Sequence, residues 1–160
     1  QSSKNEIRVY TELMSIFDDL FHRHKIDGVE ADIFITEINL AIEYDGRYWH
    51  KNKSKADNSK QEFVSAKGIQ LIRVREEPLE AISSNDIIVS PHKELSKGDL
   101  DNLLLGFKST DHRISEYLSK DTFVNDKTFK TYLDYFPSPF PELSLATKNP
   151  TLASQRLCVS

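Results

Sequence analysis

Two apolar runs that carry carboxylates constrain this chain more than anything else in it. The first is Ala31-Asp32-Ile33-Phe34-Ile35, and the second is Ile42-Glu43-Tyr44-Asp45-Gly46-Arg47-Tyr48-Trp49-His50. Both read as strands of one sheet, residues 29–36 and 38–45, joined through the tight connection Thr36-Glu37-Ile38-Asn39 of a hairpin. In the second strand Leu40, Ile42 and Tyr44 face one way, while Ala41, Glu43 and Asp45 face the other. In the first, Asp32 sits among Ala31, Ile33 and Ile35, where an isolated carboxylate is costly and normally has a cation beside it. Acids at the end of a buried strand, with a histidine just past the turn, are what a divalent-metal hydrolase needs. Asp32 with Glu43 or Asp45 would offer oxygen ligands to Mg²⁺, and His50, close in sequence to the acids, would move a proton.

The remaining elements follow in chain order. Ser3-Lys4-Asn5-Glu6 has the form of a capping box, and Ile7, Tyr10, Leu13, Met14, Phe17, Leu20 and Phe21 recur after it at helical spacing. At about 100° per residue, Glu6 falls within the apolar stripe and Glu12 on the opposite, wet face. Glu6 therefore points inward, although a capping glutamate requires no catalysis. His22-Arg23-His24-Lys25-Ile26-Asp27-Gly28 reads as the helix end and a basic, solvated turn. Lys51, Lys53, Lys55 and Lys60 lie in and after a polar loop, beside the acids, and suit phosphate contacts. Tyr48 and Trp49 can stack on bases or serve as plain core aromatics under the loop. A helix from near Asp57, a favourable cap, to Lys67 ends at Gly68, and a third strand covers 69–75. A helical turn at 79–82, an edge strand at 86–89 and helices at 100–107, 112–123 and 126–136 come next. Pro137, Pro139 and Pro141 mark a linker.

Composition narrows the class. At 160 residues with a net charge of -4, a nucleic-acid grip cannot rest on overall charge, but a local basic patch beside an acidic site is open. One cysteine, Cys158, makes neither an internal disulfide nor a thiolate zinc cage, so a reducing, intracellular setting is expected. No apolar run is long enough to span a membrane. The opening Gln1 suggests a segment of a longer protein.

Asp32, the run from Ile42 to His50, Asp57, and Gly68-Ile69-Gln70-Leu71-Ile72-Arg73-Val74-Arg75-Glu76 together resemble the very short patch repair (Vsr) endonucleases. They resemble more closely the homing endonucleases with the EDxHD motif, within the restriction-endonuclease-like superfamily; the likeness covers residues 3–82. It implies an α/β fold with a three-layer core of helix, central mixed sheet and helix, extended by C-terminal helices. It implies a Mg²⁺-dependent endonuclease, with Mn²⁺ able to substitute, acting on double-stranded DNA, as a homodimer if both strands are cut. Glu6, Asp32, His50 and Asp57 would be the motif residues, and the Tyr44 backbone carbonyl a further metal ligand. Asp45 stands where restriction enzymes commonly carry lysine and the patch repair enzymes histidine, so it would ligate metal or orient His50. The patch repair enzymes' structural zinc residues are missing, which withholds mismatch specificity. Residues 144–153 are similar to the opening of a zinc-ribbon repeat. The expected division is a nuclease core at 1–90, a helical extension at 91–136 and a linker with a truncated repeat at 137–160, in a bacterial or phage-type cytoplasm. Target recognition would then lie elsewhere. A catalytically inactive nucleic-acid-binding module of the same fold, or a protein-interaction scaffold, are the alternatives.

Overall fold

The computed structural model describes residues 3–47 and 54–135, the side chains of 54–57 excepted. The chain runs α1 (Lys4–Leu13), β1 (Leu20–Ile26), β2 (Val29–Ile35), a 3-10 turn (Thr36–Ile38), β3 (Leu40–Asp45), α2 (Ser54–Ala66), β4 (Gln70–Glu76), β5 (Ile87–Val89), α3 (Lys97–Leu105), α4 (His112–Leu118) and α5 (Asp126–Tyr135). The five strands form one sheet in sequence order. β1–β2 and β2–β3 are antiparallel, whereas β3–β4 and β4–β5 are parallel, the β3–β4 connection passing through α2.

Helices cover both faces, so the three-layer α/β expectation holds. On one face Ile33 and Ile35 of β2, Leu40 and Ile42 of β3 and Ile72 and Val74 of β4 meet Ile7, Tyr10 and Leu13 of α1. The same apolar cluster takes in Leu100, Leu103 and Leu104 of α3, Tyr117 of α4 and Phe129 and Tyr132 of α5. On the other face Ala31, Phe34, Ala41 and Leu71 pack against Val64 of α2. Each fully buried Leu or Ile contributes roughly 1.5–3 kcal/mol, so the first, larger face dominates the stability of the sheet.

The first departure from the sequence reading is β1. The helical spacing predicts one helix through Phe21, but α1 stops at Leu13, and residues 20–26 form a strand. Tertiary pairing overrides the period: Glu37 Oε1 accepts the backbone N–H groups of Asp18 and Asp19 at 2.6 and 2.7 Å, and Thr36 N–H donates to Asp19 O. Asp27 and Gly28 both have positive φ, 48° and 88°, and form the two-residue loop between Ile26 and its partner Val29. That is the backbone an Asp-Gly hairpin turn requires. His22 to Gly28 is therefore the first strand and the turn of a hairpin, not a solvated turn.

Two further corrections are local. No helical turn forms at 79–82, where Asp86 instead accepts the N–H groups of Ile82 and Ser83. α4 ends at Leu118, well short of 123, and Ser119 closes it. Glu12, placed on the wet face by its angle, is fully buried because α4 and the segment before α5 fold over it. Among the described residues no helix is long and apolar enough to cross a membrane.

Candidate active site

The acids gather where the sheet opens between β2 and β3. The β2–β3 register runs Ile35 to Leu40, Phe34 to Ala41 and Ile33 to Ile42, and then stops. One step further would set Asp32 opposite Glu43. There the Asp32 side chain replaces the ladder, its Oδ2 accepting the Tyr44 N–H at 2.8 Å. The opening is thus closed by a carboxylate, which explains how Asp32 meets Glu43 across the gap and Glu6 from the α1 side.

The electrostatics confirm the crowding. Burial, followed by the charge of Glu6, lifts the Asp32 carboxyl above its ordinary value, against the Tyr44 N–H, Arg23 and a hydrogen bond with Glu43. Glu43 is buried and stands well above the ordinary range, raised first by burial and then by Asp32. Lys60 of α2 works against that rise from an ion pair with Glu43 Oε1. Glu6 thus hinders the ionisation of Asp32, and Asp32 that of Glu43, so both carboxyls are short of positive charge.

Glu6 settles the two readings of the first turn. Its N–H donates to Ser3 Oγ at 3.1 Å, as an N-cap requires, but its side chain turns inward. Glu6 Oε2 lies 2.6 Å from His22 Nε2, and Oε1 lies 3.7 Å from an Arg23 guanidinium nitrogen. The capping box proper belongs to α3, where Ser96 and Asp99 exchange both bonds. His22 is itself buried, stacked at 5.0 Å on Tyr10.

Asp45 lies on the α2 face of β3 beside two arginines of β4, with Oδ2 at 3.1 Å from Arg75 Nε and 3.7 Å from Arg73 Nε. All three are buried. Arg75 also donates to Glu80 O, and Arg73 to Gln61 Oε1. Asp45 therefore lies within ion-pair range of two guanidinium groups. Tyr44 anchors the end of β3 differently: its hydroxyl donates to Glu76 Oε2 at 2.8 Å and accepts from Asn5 Nδ2 at 3.1 Å. Glu76 Oε1 in turn takes the Arg47 N–H at 3.2 Å, which fixes the chain just before Tyr48.

Tyr48, Trp49, His50, Lys51 and Lys53 lie outside the described residues, as do the side chains of Lys55 and Asp57. Of the predicted set the structure brings together Glu6, Asp32, Glu43 and Lys60, and it places Asp45 at the neighbouring arginine pair. Among the described residues no three His, Cys, Asp or Glu side chains form a ready-made metal cage. The sequence reading missed His22 and Arg23 as neighbours of Glu6. The signal that could have found them is the Asp27-Gly28 turn, with Phe21-His22-Arg23-His24-Lys25-Ile26 before it and Val29-Glu30-Ala31-Asp32 after it.

A solved structure, the catalytic domain of the homing endonuclease I-Bth0305I, is similar to this chain at 27% identity, over 46% of this chain and 76% of that one, with a TM-score of 0.38. A superposition that loose fixes no activity. No protein-family model and no curated protein matches the chain.

Proposed function

We propose that this chain is a metal-dependent DNA endonuclease domain that hydrolyses phosphodiester bonds, the catalytic module of a larger homing-type enzyme whose sequence recognition lies elsewhere. The observation that carries it is the Asp32 and Glu43 pair at the split between β2 and β3, two carboxyls each raised by burial and by acidic neighbours. Such a pair suits a hard cation that keeps several waters and asks only a few oxygens of the protein. Asp32 and Glu43 would hold Mg²⁺ or Mn²⁺, with the Tyr44 carbonyl as a third oxygen and Asp45 as reserve ligand or as orienter of His50. A bound divalent ion would acidify a water and offset charge on the scissile phosphate.

The chain's own groups do the rest. Glu6, held by His22 at 2.6 Å, accepts a proton from the attacking water on the α1 side. His50 and Asp57 supply the proton for the leaving oxygen. Lys60 and the lysines at 51, 53 and 55 contact backbone phosphates of double-stranded DNA, and Tyr48 and Trp49 stack on its bases. A homodimer would cut both strands.

The decisive assay incubates supercoiled plasmid with the chain and Mg²⁺ or Mn²⁺, beside Asp32→Ala and an EDTA control. Cleavage lost in both controls supports the proposal, and cleavage that persists in Asp32→Ala sinks it. One observation favours the catalytically idle DNA-binding module: Lys60 pairs with Glu43, and Arg73 and Arg75 with Asp45, so protein cations already meet two of the acids. That module would bind DNA in a salt-dependent way that EDTA leaves unchanged, and it would not cut.

A further inference from the structure

We propose that Arg23 is the phosphate-gripping residue of this site, a reading that rests on the endonuclease function above. Arg23 occupies the middle of β1 with φ of +54°, in the left-handed region that arginine rarely adopts. The strand around it is regular. His22 pairs with Ile33 and His24 with Ala31, so no residue is inserted and no bulge explains the conformation. The one step left out of that register is Arg23 opposite Asp32.

The backbone twist redirects two side chains. Alternation along β1 would put Arg23 on the Phe21 side and His24 on the His22 side. Instead His24 stacks between Phe21 and Phe34, with ring centroids at 5.2 and 5.6 Å. Arg23 crosses toward α1 and brings its guanidinium within 3.7 Å of Glu6 and 3.6 Å of Glu30. Strain of this kind, held by regular pairing on both sides, is characteristic of places where side-chain direction matters more than local comfort.

The direction it selects is chemically specific. The Arg23 side chain is 28% exposed and Glu6 only 4%, so the guanidinium spans from the buried acid to solvent. A DNA phosphate approaching Asp32, Glu43 and Glu6 meets three carboxyls and needs a cation at their rim. Lys60 provides one from α2, beside Glu43. Arg23 provides the other from β1, and its planar fork matches two oxygens of one phosphate, which an ammonium cannot do.

The test uses the whole chain, with Arg23→Ala, Arg23→Gly and Arg23→Lys. Binding to a labelled DNA duplex is followed in EDTA across salt, and plasmid cleavage is followed in Mg²⁺. Loss of one phosphate contact should lower the log-log salt slope by about 0.9 in the Ala and Gly variants. Cleavage should fall in both by about 10²–10³-fold. Arg23→Lys should recover the slope but only part of the rate. Arg23→Gly relieves the positive φ, so it should melt no lower than wild type, which separates charge from folding. Wild-type slope and rate in the Ala and Gly variants would overturn the assignment and leave the endonuclease reading standing if Asp32→Ala is inactive. A wild-type chain that neither binds nor cuts DNA would remove both.

Discussion

Glu12→Ala should be among the most destabilising single changes outside the acid cluster. Glu12 is fully buried on α1, and its carboxylate accepts Tyr117 Oη at 2.7 Å and the N–H groups of Val124 and Asn125 at 3.0 Å each. Truncation strands three donors, and a buried donor without an acceptor costs about 1–3 kcal/mol. The Tyr117 hydroxyl is deep and incurs the full penalty. Val124 and Asn125 lie closer to water, which relieves part of theirs. Arg8 loses a 3.6 Å contact with Glu12 but keeps Asp126 at 2.8 Å and the rings of Phe123 and Phe129, so its share is small. The sum is about 3 kcal/mol. For a chain of this length that corresponds to a fall in Tm of roughly 6–12 °C. Glu12→Gln, which keeps one acceptor oxygen, should cost about half as much. Thermal melts read both, and the cleavage rate measured well below the midpoint should stay at the wild-type level. A Glu12→Ala melt within about 1 °C of wild type would mean that the α1 to α4 and α5 junction is held by apolar packing alone.

Two further outcomes concern the site itself. Asp32 and Glu43 stand above their ordinary values of 3.8 and 4.5, so the folded chain keeps protons that the unfolded chain has released. Their contribution is full below those ordinary values and is lost as pH rises through the raised folded ones. In EDTA, Glu43→Gln should therefore gain Tm over wild type as pH goes from about 5 to about 8, and a difference that stays flat would contradict the crowding argument. Tyr44→Phe removes the donor to Glu76 and the acceptor for Asn5, at a cost of about 1–2 kcal/mol. Because Glu76 also holds the Arg47 N–H, cleavage should drop by more than that stability loss explains, as comparison of melts with single-turnover rates will show.

The legible part of the fold was the part governed by local pattern. The alternation of Leu40, Ile42 and Tyr44 against Ala41, Glu43 and Asp45 gives both faces of β3 correctly, and the helical angle of Glu6 gives its inward direction. What failed was decided by contacts distant in sequence. Residues 14–21 carry apolar spacing compatible with a helix, and contacts from the β2–β3 connection stop it: Glu37 takes the N–H groups of Asp18 and Asp19, and Thr36 donates to Asp19 O. Glu12 lies opposite the apolar stripe of α1, and nothing local reveals that a helix a hundred residues later presents Tyr117 to it. β1 was lost for a different reason, since its Asp-Gly turn was visible but was outweighed by the helical period before it. With β1 went His22 and Arg23, a ring partner and a cationic partner of the Glu6 carboxylate.

The charge balance around the proposed site singles out the Asp32 and Glu43 pair from the rest of the acidic cluster. Four acids, Glu6, Asp32, Glu43 and Asp45, lie among four cations, Arg23, Lys60, Arg73 and Arg75, so the overall charge of -4 says little about what a phosphate meets here. The matching is uneven. Asp45 has a guanidinium at 3.1 Å, whereas Asp32 and Glu43 remain raised despite Arg23 and Lys60. The pair thus holds its protons to higher pH than ordinary carboxyls do, and those protons must leave for a divalent ion to be held there. Metal affinity should then rise with pH through the range in which the pair titrates, and binding should release protons. Calorimetry in two buffers of different ionisation enthalpy measures that release directly, and Glu43→Gln should reduce it. Affinity that stays level with pH, with no proton released, would mean that the pair accepts no cation and that a DNA-binding module with a neutralised, idle centre is the better account of these residues.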